Sequence, residues 1–298
     1  MQFRSKAYFQ MHTATFLWGI TAILGKVITL QEFPLVWFRM LLVTLGTLCI
    51  PSVYKQLKAL QGKDIKIMGG IGILVAIHWL AWYGSIKYSN ASVAVSCIAI
   101  ISFLTSLIEP LLTKAPFRRS NLFLGILVIP AILLIDHSLE LHYKFGFALG
   151  LLAALLAAIF STLNKKYTQH VGSFAITFTE LSIGWLFLSI LLPFYIKLNP
   201  GTFHIPDTHD WFFLFILSVF CTIIPYNLFL IALKVSDAFT TSLINNLEPV
   251  YGIILAAIFL KEDKELNWQF YVGTAILIIA VFLHPVLNRS KKPPIHTV

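Results

Sequence analysis

Charged side chains are scarce in this chain, and their scarcity decides its class. Asp, Glu, Lys and Arg make up only 12% of the 298 residues, against about a quarter in soluble domains. Hydrophobic residues make up 58%, and the mean hydropathy is +0.82. A surface that faces water on all sides cannot be built from so few charges. The composition therefore excludes a soluble protein and predicts an integral membrane protein.

Cysteines and enzyme motifs are scarce as well. Cys49, Cys97 and Cys221 lie far apart in different apolar runs, which excludes a metal-ligand spacing and a disulfide framework. There is no H-E-x-x-H motif, and Gly19 to Lys26 is not a P-loop because five residues instead of four precede its Gly-Lys pair. No catalytic residue, cofactor or metal is therefore predicted. An intramembrane enzyme or a non-transporting membrane scaffold remains the alternative class.

Lys and Arg outnumber Asp and Glu by 22 to 13, yet they form no basic patch. They stand singly or in pairs at the ends of apolar runs, as membrane topology requires, which argues against a nucleic-acid partner. Fifteen lie on one side of the predicted spans, Arg39 lies within a span, and six lie on the other side: Lys26, Lys87, Lys144, Lys197, Lys261 and Lys264. The positive-inside rule then places both termini in the cytoplasm of a multi-pass plasma-membrane protein, expected in the bacterial inner membrane.

Ten runs of mostly apolar residues are each about as long as a helix that crosses a bilayer, which needs roughly 20 residues. They lie at about 7–30, 34–54, 65–86, 91–113, 119–136, 144–164, 172–197, 210–233, 238–260 and 267–287. Strands that cross a membrane are about half as long and alternate in polarity. The runs therefore predict helices.

A short motif occurs twice in the chain. I-K-Y-S-N-A, from Ile86 to Ala91, returns as L-K-V-S-D-A, from Leu233 to Ala238, at a shift of 147 residues. The same shift brings Lys114 onto Lys261, so it persists through a polar hinge and the apolar run that follows. An offset that holds over this length indicates an internal duplication.

The duplication divides the chain into residues 1–142 and 143–298, with five predicted spans in each. Because five is odd, two copies in sequence must lie upside down relative to each other in the membrane. Secondary transporters use inverted repeats of this kind and bind their substrate near the middle of the bilayer, where the halves meet. The predicted fold class is an all-α polytopic membrane protein with ten transmembrane helices in two inverted five-helix repeats.

Three segments resemble a known family. They are L-W-G at Leu17 to Gly19, F-R at Phe38 and Arg39, and L-E-P-V-Y-G-I-I-L-A-A-I-F-L-K-E from Leu247 to Glu262. Together with the duplication, they resemble the EamA-type unit of the drug/metabolite transporter superfamily, in which two five-helix units form a ten-helix carrier. The resemblance implies a secondary transporter or exporter of small metabolites, such as amino acids or related polar or amphipathic solutes, that works by alternating access.

The resemblance also implies that the first, third, fourth, sixth, eighth and ninth spans face the substrate cavity. The candidate residues of the substrate pathway are Trp18, His78, Trp82, Ser96, Tyr226, Asn227, Asn245, Asn246 and Glu248. Ionisable groups inside spans are costly and usually functional, which adds Arg39, Glu109 and Glu180. A structural role remains open for each of these three. Glu109 has Arg118 and Arg119 close by in sequence, and the other two lie in corresponding second spans of the repeats.

The energy source for transport can be inferred only from the ionisable residues within the predicted spans and from the absence of an ATPase motif. No ATPase motif is present, so the energy would come from an ion gradient, an exchanged solute or the gradient of the solute itself. If transport is coupled to protons, His78 and Glu248 are the groups expected to change charge in a transport cycle, because both side chains take up and release protons and both lie within spans. The alternative is that His78 forms a hydrogen bond to a neighbouring helix and that Glu248 pairs with a cation or is hydrated in the cavity. The predicted partners are a small-molecule solute, the lipid bilayer, and a proton or an exchanged solute.

The sixth predicted span carries a stripe of small residues. Gly146, Gly150, Ala154 and Ala158 recur every four residues and so share one helix face. Such stripes let helix backbones approach closely, and we expect tight helix packing here. A groove for the substrate is the alternative.

Overall fold

The computed structural model describes residues 2–113, 120–233, 244, 247–262 and 266–287. Every regular element among these residues is a helix, so the prediction of an all-α fold is confirmed for this part of the chain. In the first half the helices are α1 (Gln2–Val27), α2 (Glu32–Leu48), α3 (Pro51–Lys58), α4 (Gly62–Tyr88), α5 (Ala91–Ile98), α6 (Ile101–Thr113) and α7 (Ser120–Ser138).

The second half begins with a short 3-10 turn at Leu141–Tyr143. The helices that follow are α8 (Lys144–Tyr167), α9 (Ser173–Leu198), α10 (Thr208–Ser218), α11 (Ile224–Leu233), α12 (Glu248–Leu260) and α13 (Trp268–Leu287). A π-helical turn at Val219–Ile223 joins α10 directly to α11. α10, the π-helical turn and α11 together form the eighth predicted span.

Polar side chains cap the starts of several helices. Asn90 accepts a hydrogen bond from the backbone N–H of Val93 at α5 (2.9 Å), and Asp207 accepts one from Asp210 at α10 (2.7 Å). The first turn of a helix has N–H groups without an acceptor inside the helix, and these side chains supply one. The caps fix where both helices begin.

Five described helices are long and apolar enough to cross a membrane, or six if the bent pair of α2 and α3 forms one span. The five are Gly62–Tyr88, Ala91–Thr113, Leu141–Tyr167, Ser173–Leu198 and Thr208–Ile231. Shorter apolar helices are Val128–Ser138, Glu248–Leu260 and Trp268–Ala280. These helices make the chain a polytopic membrane protein, and the count of ten spans stays a prediction.

The second predicted span, 34–54, is wrong as a single continuous helix. α2 ends at Leu48, α3 begins at Pro51, and the two helices meet at a bend of 88°. Proline has no N–H to donate within a helix, and it disfavours helical geometry in the residue before it. Ile50 is accordingly extended, with φ −93° and ψ 112°. The apolar composition continues across this break, but the helical conformation of the backbone is interrupted.

The helices of the two halves pack against each other in reciprocal pairs. α4 packs on α8 and α9, and correspondingly the eighth span packs on α1 and α2. α5 and α6 pack on α8, and correspondingly α12 packs on α1. The pairs α2 with α9, α5 with α12 and α7 with α13 are each their own counterpart. The extensive contacts between the halves are therefore unchanged when the first five predicted spans are exchanged with the last five.

The small-residue stripe of α8 lies against the end of α4 and against α5, and the predicted tight packing is confirmed. A Cβ atom added to Gly146 would lie 2.7 Å from the Cβ atom of Ser89. One added to Gly150 would lie 2.7 Å from the Sγ atom of Cys97. Both distances are well below the separation of about 3.5–4.0 Å at which carbon atoms attract each other. Glycine is needed at both positions for the helices to approach this closely.

Candidate functional site

Arg39 of α2 is bound to the eighth span. Its side chain is buried, 4% exposed, and its Nε and Nη2 atoms donate to Oγ1 of Thr222 (3.1 and 2.8 Å). Nη1 donates to the hydroxyl oxygen of Tyr83 (2.6 Å), and the guanidinium group lies 3.8 Å from the ring centroid of Trp79. Among the residues that the structure describes, Arg39 has no acidic partner. Hydroxyl groups and a cation–π contact hold this buried cation.

Glu180 of α9 is bound to the same span, and its side chain is completely buried. Its Oε2 atom accepts hydrogen bonds from the hydroxyl group of Tyr226 (2.9 Å) and from Nδ2 of Asn164 (3.3 Å). Nδ2 of Asn164 also donates to the oxygen of Tyr226 (3.1 Å), which closes a triangle of α8, α9 and α11. The Oε1 atom of Glu180 is buried and has no hydrogen-bond partner within the described part of the chain.

The eighth span thus carries the partners of both buried ionisable groups, one helical turn apart. Thr222 lies in the π-helical turn and donates its hydroxyl hydrogen to the carbonyl oxygen of Leu217, five residues back (2.7 Å). Tyr226 follows four residues later, directly after Pro225. Turns of this kind hold one residue more than an α-helical turn and are frequent at functional sites. The span therefore faces α2 of the first half with Thr222 and α9 of the second half with Tyr226.

Asn227 extends the polar cluster on α11. Its Nδ2 atom donates to the carbonyl oxygen of Ile223 (2.8 Å) and to Oγ1 of Thr177 (3.4 Å), which lies on α9. Its Oδ1 atom is buried without a partner among the described residues. Tyr226 and Asn227, both predicted on the substrate pathway, therefore meet α9 side by side, and Glu180 belongs to the same cluster.

His78 and Trp82 lie in the packed interface of α4. Nδ1 of His78 is 2.8 Å from the carbonyl oxygen of Ala153 on α8, and its ring makes an edge contact with Phe160 at 5.2 Å. Trp82 is buried in the main hydrophobic core. The structure places His78 between helices of the two halves and Trp82 in the core, four residues apart on α4 as one face of a helix requires.

Ser96 and Trp18 occupy other contacts between the halves. The hydroxyl group of Ser96 donates to the carbonyl oxygen of Ser92 (2.9 Å) and lies 3.1 Å from Oγ1 of Thr274 on α13. The ring of Trp18 on α1 packs on Phe229 of α11, with centroids 5.2 Å apart. Neither side chain joins the cluster around Glu180 in the hydrogen bonds of the described residues.

Glu248 is the first residue of α12, where its negative charge is favourable because a helix N-terminus carries a partial positive charge. The first turn of α12 presses on α1, since a Cβ atom added to Gly19 would lie 2.9 Å from the Cβ atom of Tyr251. Glu248 forms no ion pair within the described residues. Asn245 and Asn246, the other members of this predicted cluster, lie outside the described residues.

Glu109 forms an ion pair with Lys165 of α8 at 2.9 Å. Lys166, which follows Lys165 on α8, donates to the carbonyl oxygen of Leu112 on α6. The sequence offered Arg118 or Arg119 as partners, and both lie outside the described residues. Glu109 thus ties the ends of the fourth and sixth predicted spans together.

Sequence reasoning missed the buried carboxylate of Glu262. Its side chain is 1% exposed and accepts hydrogen bonds from the backbone N–H groups of Ala91 (3.0 Å) and Ser92 (2.8 Å) and from the hydroxyl group of Ser92 (2.7 Å). Glu262 therefore caps α5 from the end of α12. Its position beside Lys261 at the end of an apolar run indicates a solvated loop, and the repeated hinge at Asn90 is the one signal that marks this region.

Asp207, His209 and Asp210 bring three possible metal ligands within 4.8 Å of one another. Their carboxylate oxygens already accept hydrogen bonds within the protein. Asp207 caps α10, and both carboxylate oxygens of Asp210 accept hydrogen bonds from the N–H and hydroxyl groups of Thr29. We interpret this group as a structural link between the end of α1 and the start of α10.

The cluster around the eighth span combines a cation, a carboxyl group, amides and hydroxyl groups inside an apolar helix bundle. Such groups can hold a polar solute by hydrogen bonds and can take up or release protons. Buried polar groups of this kind are costly unless they serve a purpose, and inside a membrane they mark pathways and proton relays.

Comparison with known proteins identifies the family. The sequence profile of the EamA-like transporter family matches residues 5–135 and again residues 144–284. A protein named uncharacterized transporter YetK from Bacillus subtilis (strain 168) is 27% identical over 154 residues, which are 51% of this chain and 44% of that protein. The match thus spans less than half the length of YetK. An uncharacterized transporter of Archaeoglobus fulgidus is 23% identical over 295 residues, which are 94% of this chain and 97% of that protein.

A solved crystal structure shares the fold. It covers 97% of this chain and 100% of its own chain, with a TM-score of 0.65 and 14% sequence identity. The family profile covers most of the chain, and both named relatives are described as uncharacterized transporters. The chain therefore belongs to the EamA-like transporter family of multi-pass membrane proteins.

Proposed function

We propose that the protein is a secondary transporter that moves a small polar or amphipathic metabolite, such as an amino acid, across the plasma membrane by alternating access. Membership of the EamA-like transporter family and the names of the matched relatives support transport. The polar cluster around the eighth span supports a polar solute, because an apolar solute would need no such groups in the bilayer.

The reciprocal packing of the helices carries this proposal. A carrier built from inverted halves changes access when one half rocks against the other around a fixed site. If the contacts are equivalent under exchange of the halves, the inward-open and outward-open arrangements differ only in which half adopts which conformation. We therefore propose ten spans in two inverted repeats, residues 1–142 and 143–298. The two separate matches of the family profile support this division.

The orientation follows from the distribution of basic residues. We propose that both termini lie in the cytoplasm, with the protein in the bacterial inner membrane, because Lys and Arg favour one side by fifteen to six. Reporter fusions after Val298 and within residues 136–144 should report opposite sides of the membrane. The same side for both fusions would contradict the inverted repeat.

The substrate pathway is proposed to run between the halves. Its members are Trp18, His78, Trp82, Ser96, Tyr226, Asn227, Asn245, Asn246 and Glu248. Contacts between helices of different halves support this assignment for Trp18, His78 and Ser96. A proton or an exchanged solute would drive transport, since the matched family profile covers the chain without an ATP-binding motif.

Counterflow in proteoliposomes tests the function. Vesicles loaded with one unlabelled amino acid or metabolite at a time should accumulate the radiolabelled form of a transported solute, and empty vesicles should not. A solute that exchanges only in the presence of the protein names the substrate. Absence of counterflow for every polar metabolite in the panel would contradict the proposal.

Cysteine accessibility tests the pathway. In a background without Cys49, Cys97 and Cys221, cysteine in place of Glu248 should react with a small hydrophilic thiol reagent and be protected by the substrate. Ile258→Cys is the matched control, because Ile258 is an apolar residue on the same helix with 63% of its surface exposed. If neither introduced cysteine reacts with the reagent, Glu248 packs against its neighbours and does not line the pathway.

A further inference from the structure

The Glu180 carboxyl group sits where three helices meet, completely buried, with only one of its two oxygens occupied. We propose that this group is a proton-binding site and that its proton is bound and released in each transport cycle. The proposal rests on the proposed transport function and names its coupling ion as a proton. The sequence favours His78 and Glu248 as the groups that bind the proton. The proposal assigns this role instead to Glu180, for which the sequence also allows a structural role.

The arrangement of donors and acceptors requires a proton. Tyr226 and Asn164 both donate to Oε2, so this oxygen needs nothing more. Oε1 is buried and unpaired in the described residues. A carboxylate that lacks a cation nearby and has one oxygen without a hydrogen-bond donor is strongly disfavoured in an apolar interior. A carboxylic acid is neutral, because a proton is bound to that oxygen. In this conformation the group therefore holds a proton.

No cation takes the place of the proton among the described residues. From α11, Tyr226 faces Glu180, and from α8, Asn164 does. On α4, Gly72 lies against the backbone of Glu180, since a Cβ atom on Gly72 would collide with the carbonyl oxygen of Glu180. The charged side chains of the other helices that contact α9 are engaged elsewhere or exposed: Glu32 and Arg39 of α2, Lys55 and Lys58 of α3, Lys63, Asp64, Lys66, His78 and Lys87 of α4, and Lys165 and Lys166 of α8.

His78 and Glu248 fit the role less well. Nδ1 of His78 already interacts with the carbonyl oxygen of Ala153, an acceptor that fixes the ring. Glu248 stands at the start of α12, and no hydrogen bond within the described residues joins its carboxyl group to another helix. The Glu180 carboxyl group is hydrogen-bonded to donors on two other helices, so its charge depends on where these neighbours are.

The eighth span connects this site to movement between the halves. One of the two donors, Tyr226, belongs to the eighth span, and Thr222, one turn earlier, is held by Arg39 of the first half. Thr222 lies in the π-helical turn, and Pro225 lies between Thr222 and Tyr226, so the regular helix is interrupted at these contacts. When the halves rock, the eighth span is pulled from both sides. Separation of Tyr226 from Glu180 admits water to the carboxyl group, and the proton leaves to that water.

Carbodiimide labelling tests the proton directly. Dicyclohexylcarbodiimide adds to protonated carboxyl groups in apolar surroundings and leaves a stable N-acylurea. Purified wild-type protein should be labelled at Glu180, as located by peptide mass spectrometry, and labelling should fall about tenfold per pH unit once the proton is lost. Glu109, whose side chain is 32% exposed and paired with Lys165, is the internal control and should stay unlabelled. Absence of label at Glu180 over the whole pH range would overturn the proposal.

Transport of the Glu180→Gln variant tests the coupling. The glutamine keeps the acceptor oxygen and the shape but cannot exchange a proton. The variant should lose accumulation driven by a pH gradient, and the counterflow that it retains should no longer depend on pH, because only the driven mode needs the proton. Glu109→Gln should retain both modes. Gradient-driven accumulation that survives in Glu180→Gln, or that is absent from the wild type, would overturn the proposal.

The two experiments separate this proposal from the proposed function. Wild-type protein without counterflow would contradict transport itself, whereas the labelling experiment reads the protonation of Glu180 without any transport. Labelling is carried out on the wild type, so a folding defect of the glutamine variant leaves that result decisive.

Discussion

Replacing Glu262 by alanine should loosen the contact between the ninth and fourth predicted spans. The carboxylate reaches from the end of α12 to the first turn of α5 and accepts three hydrogen bonds of 2.7–3.0 Å there. It is buried, so water does not compete for these donors in the folded protein. The substitution would leave two backbone N–H groups without an acceptor in an apolar environment.

The size of the effect follows from these three bonds. A hydrogen bond to a charged group contributes about 1.5–3 kcal/mol, and a buried donor left unpaired costs about 1–3 kcal/mol. The hydroxyl group of Ser92 can turn to another acceptor, so its bond is lost at little cost. We expect Glu262→Ala to lower the free energy of unfolding by about 3–5 kcal/mol and Glu262→Gln, which keeps one acceptor oxygen, by about half as much. For a chain of this size 1 kcal/mol corresponds to roughly 2 °C, so the alanine variant should unfold about 6–10 °C below wild type.

Thermal unfolding in detergent measures this shift. A thiol-reactive dye reports unfolding through Cys97 and Cys221, which are buried in the folded protein. Glu140→Ala is the matched control, because the side chain of Glu140 is 77% exposed and faces an exposed histidine. An unfolding temperature of Glu262→Ala within about 1 °C of that control would show that the cap does not hold the two spans together.

Two further substitutions test close contacts in the bundle. Gly72→Ala should lower the free energy of unfolding by about 1–3 kcal/mol because a Cβ atom there would collide with the carbonyl oxygen of Glu180, whereas Gly70→Ala meets open space and should change little. Thermal unfolding compares the two, and equal temperatures would contradict the close approach of α4 and α9. Thr222→Val should cost about 1–3 kcal/mol because two N–H groups of Arg39 lose their acceptor, and Thr222→Ser should restore most of the stability. Equal losses in the valine and serine variants would show that the hydroxyl group is not the relevant feature.

The sequence was a good guide to helices because apolar length is a local property. The prediction at 144–164 matches α8 at Lys144–Tyr167, and the one at 172–197 matches α9 at Ser173–Leu198. It failed at Pro51, where hydrophobicity continues although the backbone bends by 88°. Hydropathy measures the solvent that a segment prefers, and it does not register a missing N–H group.

The ionisable members of the site were visible for a similar reason, and their partners were not. Arg39 and Glu180 stand out because a charge inside an apolar run is conspicuous. Thr222 lies 183 residues from Arg39, and a threonine in a helix ordinarily bonds to its own backbone, so nothing in the local sequence marks it as an acceptor. Glu262 was missed because a carboxylate after a helix end is expected in water, whereas Lys261, with φ of 56°, turns the chain so that Glu262 is buried.

The reciprocal packing also has a consequence for how the protein is made. A ribosome releases the first half into the membrane before the second half exists, and α4 and α1 then lack the helices on which they mainly pack. Arg39 cannot form its hydrogen bonds to Thr222 until more than 180 further residues have been synthesised. The binding of that charge is therefore completed late, and a chain truncated after residue 142 would leave the Nε and Nη2 atoms of Arg39 without their acceptor, with only the contacts to Tyr83 and Trp79 remaining. Quality-control proteases of the membrane would recognise such a fragment, whereas two halves produced as separate chains would protect each other from degradation when they meet.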